Sequence, residues 1–102
     1  MNTVMVRYKV KPEKVQEHIG LVERVFRALA QSGPKGLRYA SFRLPDGLSF
    51  VHLSSLEDGV SENPLSQTPE FQEFIRDIKA RCDEPPAPVA LELIGNYRLV
   101  RD

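Results

Sequence analysis

Polar and apolar side chains alternate at the start of the chain. In "TVMVRYKV", residues 3–10, Val4, Val6, Tyr8 and Val10 fall on one face at period two, and β-branched and aromatic types dominate, which predicts a strand. Pro12 stops that strand and suits a first helical turn. The period then changes. Val15, Ile19, Val22, Phe26 and Leu29 recur at helical spacing, Glu13 sits near the positive end of the predicted helix, and Gly33 with Pro34 closes it. Gly20 lies inside this helix, at a cost of about 1 kcal/mol relative to alanine, and marks a candidate close approach to a neighbour.

The second half repeats the scheme. "GLRYASFRL" and "LSFVHLSSL" read as two strands joined by the tight turn in "LPDGLS", hence an antiparallel hairpin. Residues 57–67 are polar and read as a loop. A second helix is expected over "TPEFQEFIRDIKARC", with Thr68 as N-cap, Pro69 at its first position and Glu70 in its first turn. Its apolar stripe is Phe71, Phe74, Ile75, Ile78 and Cys82. "DEPPAP" is expected to break the chain, and "VALELIGNYRLV" to form the last strand, with Gly95 as a bulge.

The order β-α-β-β-α-β is that of the ferredoxin-like split unit: an α+β domain over residues 1–102, with a four-stranded antiparallel sheet and both helices on one face. The other sheet face should be polar if it meets water, yet apolar residues fall on both faces of the third and last strands. Phe50 and Val51 point opposite ways, as do Leu93 and Ile94. A second copy of the chain, paired face to face as a homodimer, is the simplest cover.

Composition narrows the function classes. The chain has 102 residues, and fourteen basic residues balance fourteen acidic ones, so nothing marks a nucleic-acid or anionic membrane surface. Cys82 is the single cysteine, which excludes an internal disulfide and fits a reducing, cytoplasmic setting. Arg7 and Lys9 interrupt any signal-peptide core, and no apolar run is long enough to span a membrane. The two histidines, lone cysteine and scattered carboxylates make no metal-binding spacing. No dinucleotide fingerprint, phosphate cradle or G-x-S-x-G elbow is present.

"MVRYKVKPEKVQE", "FVHLSSLED" and "NPLSQTPEFQEF" together resemble the antibiotic biosynthesis monooxygenase family of the dimeric α+β barrel superfamily. The resemblance implies two ferredoxin-like sheets paired into a barrel, with a ligand pocket between sheet and helices in each subunit. It also implies, for some members, oxygenation of phenols or quinols with no metal or flavin cofactor. Others degrade haem, and others have no known activity. The chain departs from the family at several points. Ser54 and Leu56 align with an E-x-W-like segment, and Pro64 and Glu70 stand where H-L-x-T-x-H-F has histidines, while Leu65 and Phe71 match. Val6 falls near the asparagine of the haem-degrading branch, and the second helix contains no histidine, so haem degradation loses most of its support.

His52 shares a strand face with Phe50, Ser54 and Leu56. It is the candidate catalytic residue, as a proton acceptor for a phenolic substrate. The competing reading is a packed histidine whose ring nitrogens are satisfied by neighbours. Tyr8, Phe50, Ser54, Arg43, Phe71 and Tyr97 are the candidate substrate-binding residues. Tyrosines converging from several strands can bond a ligand oxygen, and an arginine can hold an anion. Tyr39, Arg7 and Arg98 are candidates of the same kinds, with ordinary roles in sheets and at strand ends as the competing reading. Asn63 is read as starting the turn before the second helix, Cys82 as a buried inert thiol, and His18 as a structural residue at the edge of the first helix's apolar face. Three functions follow: a cofactor-free oxygenase or isomerase acting on a small aromatic or quinol, a non-catalytic binder of a small apolar ligand, and a structural subunit with a filled pocket.

Overall fold

The computed structural model describes residues 2–99. Strand β1 (Asn2–Val10) leads through a 3-10 turn at Pro12–Lys14 into helix α1 (Val15–Ser32). Strands β2 (Leu37–Arg43) and β3 (Ser49–Leu56) follow as a hairpin. A second 3-10 turn (Pro64–Gln67), helices α2 (Pro69–Ile75) and α3 (Ile78–Arg81), and strand β4 (Cys82–Leu91) complete the order. The sheet runs β2-β3-β1-β4, with every pair antiparallel, which is the ferredoxin-like α+β arrangement.

Local chemistry fixes most of the boundaries. Gly33 adopts φ 55° and its N–H reaches back 2.8 Å to the Leu29 carbonyl, ending α1. The Asp46 carboxylate accepts from the backbone N–H groups of Leu48 and Ser49 and from the Ser49 hydroxyl, at 2.9, 2.8 and 2.6 Å, fixing the β2–β3 turn and thereby the register of β3. Asn63 accepts from the Leu65 N–H and starts the 3-10 turn. Thr68 stands at the N-cap of α2 but makes no capping bond; its hydroxyl donates to the Pro64 carbonyl instead. Gly20 has open space where a Cβ would stand, so close packing does not explain it.

Two expected boundaries are corrected. The second helix does not run through to Cys82. It stops after Ile75, because Arg76 is extended and Asp77 is left-handed at φ 59°. The last strand begins at Cys82 and ends at Leu91, seven residues earlier than expected at its start. "DEPPAP" is part of this strand rather than a break. Strand β4 lies at the sheet edge, where a proline nitrogen need not donate, and Pro85 and Pro86 fall where the pairing with β1 shifts register between Arg7 and Lys9. Residues 92–99 form no strand, and Ile94, Tyr97 and Leu99 are exposed. Val100, expected in the last strand, lies outside the described residues.

The core lies between the sheet and the helices. Tyr8 and Val10 of β1, Val15 and Val25 of α1, Phe50 of β3, Leu65, Phe74 of α2 and Cys82 are buried together. Phe42, Val89 and Leu91 lie on the opposite sheet face and are exposed. No helix among the described residues is long and apolar enough to cross a membrane.

Candidate functional site

Strand alternation sends Val6 and Tyr8, Tyr39 and Ser41, and Phe50, His52 and Ser54 to the helix side of the sheet. Val6 and Ser41 flank His52 directly in the register, and Tyr8 and Tyr39 approach it diagonally. From the other layer, His18 of α1 descends between Tyr8, Phe50 and Phe74, with ring centres 5.1, 5.0 and 5.3 Å away.

These side chains form one bonded array. The Tyr8 hydroxyl lies 2.6 Å from Nε2 of His18 and 2.6 Å from Nε2 of His52. The Tyr39 hydroxyl lies 2.7 Å from Nδ1 of His52, and the Ser41 hydroxyl 3.3 Å from its Nε2. Arg81, only 5% exposed, donates from Nε to Nδ1 of His18 at 3.4 Å. The same guanidinium donates to the carbonyls of Phe74 and Arg76, the acceptors left open where α2 breaks. No buried side-chain nitrogen or oxygen among the described residues lacks a partner.

Burial sets the protonation states. Desolvation pulls His52 from 6.5 down to about 4. His18 is lowered to about 4 as well, first by burial and then by the charge of Arg81. Both rings are therefore neutral near pH 7. Burial also pushes the Tyr8 and Tyr39 hydroxyls upward, so both stay protonated.

A cavity of about 250 Å³ borders this array. His52, Tyr8, Tyr39 and Ser54 line it from the sheet, Phe71, Phe74 and Ile75 from α2, and Asn63 and Leu65 from the turn before it. The wall is mainly apolar with a few convergent polar atoms, the usual make-up of a small-molecule site. A broader cleft of about 700 Å³ lies between α1 and β2, where Phe50 and Arg43 are found. It is larger, but His52 does not reach it, so the smaller cavity is the better candidate for chemistry.

Of the candidate residues, His52, Tyr8, Ser54 and Phe71 meet at the smaller cavity. Phe50 lies behind Tyr8, stacked at 5.7 Å. Arg43 is exposed, and its Nε donates to the Gly47 carbonyl at the hairpin turn. Tyr97 is 83% exposed and lies beyond the last strand. Sequence reasoning missed His18 and Arg81 as members of the array. His18 was partly legible: positions 15, 18, 22, 25 and 29 make a helical stripe as narrow as the all-apolar one at 15, 19, 22, 26 and 29, and Val15, His18 and Val25 are the buried residues of the helix. Arg81 carried no signal, because the helix break that turns it inward was not visible. Among the described residues, no group of three or more His, Cys, Asp or Glu could hold a metal ion.

No family model and no curated protein sequence matches the chain. Solved structures do. An antibiotic biosynthesis monooxygenase is similar at TM-score 0.72 and 17% identity, covering 93% of this chain and 100% of that one. Rv0793 from Mycobacterium tuberculosis is similar at TM-score 0.74 and 14% identity, covering 93% and 96%. SnoaB from Streptomyces nogalater, a cofactor-independent oxygenase, is similar at TM-score 0.69 and 16% identity, covering 96% and 97%. The chain therefore has the fold of antibiotic biosynthesis monooxygenase-like proteins over nearly its whole length.

Proposed function

We propose that the protein is a cofactor-independent oxygenase acting on a small phenol or quinol held in the 250 Å³ cavity, with His52 as proton acceptor. The observation that carries this reading is a neutral histidine in the wall of an aromatic-lined cavity, on a fold shared with an oxygenase of that kind. Ser54, Phe71 and Tyr8 contact the substrate, and Tyr39 joins them. The Tyr8 hydroxyl occupies Nε2 of His52, so a substrate hydroxyl must take that place before its proton can move.

The chemistry balances with dioxygen as oxidant. His52 takes the phenolic proton, and the electron-rich anion reduces dioxygen, forming a carbon–oxygen bond at a ring carbon that carries hydrogen. The peroxide takes back the proton. Loss of the ring C–H proton then breaks the O–O bond, releases water and leaves a quinone. One oxygen atom enters the product and the other leaves as water.

The protein acts as a homodimer in the cytoplasm, on this reading, with a second copy covering Phe42, Val89 and Leu91. A second reading, a binder of a small apolar ligand without turnover, is favoured by one observation: both ring nitrogens of His52 already have protein partners. Oxygen uptake with hydroquinones and polycyclic phenols separates the two. Uptake by the wild type that is lost in His52→Ala supports the oxygenase. Thermal stabilisation by a phenol without uptake supports the binder.

A further inference from the structure

Arginine donates hydrogen bonds and cannot accept one. That rule, applied at Arg81, fixes every proton in the buried array. The Arg81 Nε–H points at Nδ1 of His18, so Nδ1 must be the acceptor. His18 is neutral, so its proton sits on Nε2 and is donated to the Tyr8 oxygen. The Tyr8 O–H then donates to the one lone pair of Nε2 of His52. The remaining proton of His52 sits on Nδ1 and is donated to the Tyr39 oxygen. The Tyr39 O–H is left over, in the wall of the cavity.

We propose that Arg81 is a positioning residue that orients the chain Arg81–His18–Tyr8–His52–Tyr39, so that Tyr39 donates into the cavity and selects ligands presenting a carbonyl or oxyanion oxygen. The choice of ligand rests on the cavity reading given above; the direction of the chain does not. Each donor in the series polarises the next, so the bond Tyr39 offers is strengthened by a cation buried at the far end. The break between α2 and α3 belongs to the same device. It frees the Phe74 and Arg76 carbonyls, and these hold the guanidinium in place.

Proton–nitrogen correlation spectra of the ligand-free protein read both tautomers directly. The expected result is His18 protonated at Nε2 and His52 at Nδ1. His52 protonated at Nε2 overturns the proposal. Arg81→Lys, which can still only donate, is expected to keep both tautomers, whereas Arg81→Gln, whose amide can also accept, releases them into mixtures. Should Arg81→Gln fail to fold, Tyr8→Phe supplies the same information from the middle of the chain. His18 keeps its tautomer there, and with Ser41→Ala removing the other hydroxyl near Nε2, His52 loses its single one; an unchanged His52 in that double variant contradicts transmission through Tyr8. For the ligand, α-tetralone, which carries a carbonyl, is compared with tetralin, which does not. The ketone is expected to bind about tenfold more tightly, and Tyr39→Phe to abolish the difference. Equal binding to the wild type overturns the selection. If neither probe binds, the cavity reading fails, while the tautomers still decide the direction of the chain.

Discussion

The Tyr8 hydroxyl reaches Nε2 of His52 at 2.6 Å although Val6, not Tyr8, stands opposite His52 in the β1–β3 register. The contact is diagonal, one step along the pleat, and only a long polar-tipped ring can make it. Tyr8 is 2% exposed and bridges two histidines that are themselves buried. Tyr8→Phe keeps the packing but leaves Nε2 of both rings without that partner. A loss of about 2 kcal/mol in folding stability is expected, measured by denaturant unfolding. Tyr39→Phe, at a half-buried position with one histidine contact, should cost less. A neutral Tyr8→Phe would mean that water replaces the hydroxyl.

The histidines also predict a pH dependence with a definite sign. Both have folded pKa values near 4, below the ordinary 6.5. Below 6.5 the unfolded chain takes up protons that the folded protein refuses. Their contribution is therefore present above 6.5 and is lost as the pH falls toward 4, by up to about 1.4 kcal/mol per pH unit for each ring. Asp46, lowered from 3.8 to about 2 by its bonds to Ser49 and Leu48, loses its contribution only in a more acidic window. Unfolding curves between about pH 7 and pH 4 should show a steadily falling midpoint. A flat midpoint across that range would contradict two buried neutral histidines.

Gly20 offers a simpler test. It lies within α1, and a Cβ built there meets nothing within 4 Å. Gly20→Ala should raise stability by about 0.5–1 kcal/mol through the lower entropy of the unfolded chain. A fall in melting temperature would reveal a close neighbour on that helix face, as a partner subunit would supply.

The fold was readable because the hydrophobic period switches cleanly between two and 3.6 along the chain, and because Pro12, Gly33 and the "LPDGLS" turn mark ends where the backbone has few alternatives. The errors cluster after Ile75. Nothing in "FIRDIKARC" announces that Asp77 turns left-handed; tertiary contacts that hold Arg81 inside override a good helical sequence. The three prolines of "DEPPAP" read as a break because an edge strand, which tolerates them, cannot be told from a loop without knowing the strand order. His52 was found by strand alternation. Its partners were harder, since the array joins residues from β1, α1, β2, β3 and α3 through side-chain tips, and periodicity places side chains on faces without saying which tips meet.

The sheet face away from the helices is partly exposed. Phe42 is 48% exposed and Val89 46%, on strands at opposite edges of the sheet. Met5, Val51 and Leu53, on the two strands between them, share that face, so its apolar character runs across the whole sheet and is not confined to one rim. On the proposed homodimer, this is the face that a second copy covers. Light scattering behind size exclusion should give a mass twice that of the 11.6 kDa chain. Phe42→Glu, which places a charge on the proposed pairing surface, should shift the protein toward monomer while leaving the helix-side core intact. A wild type that runs as a monomer at all concentrations would show that this face meets solvent or another protein instead.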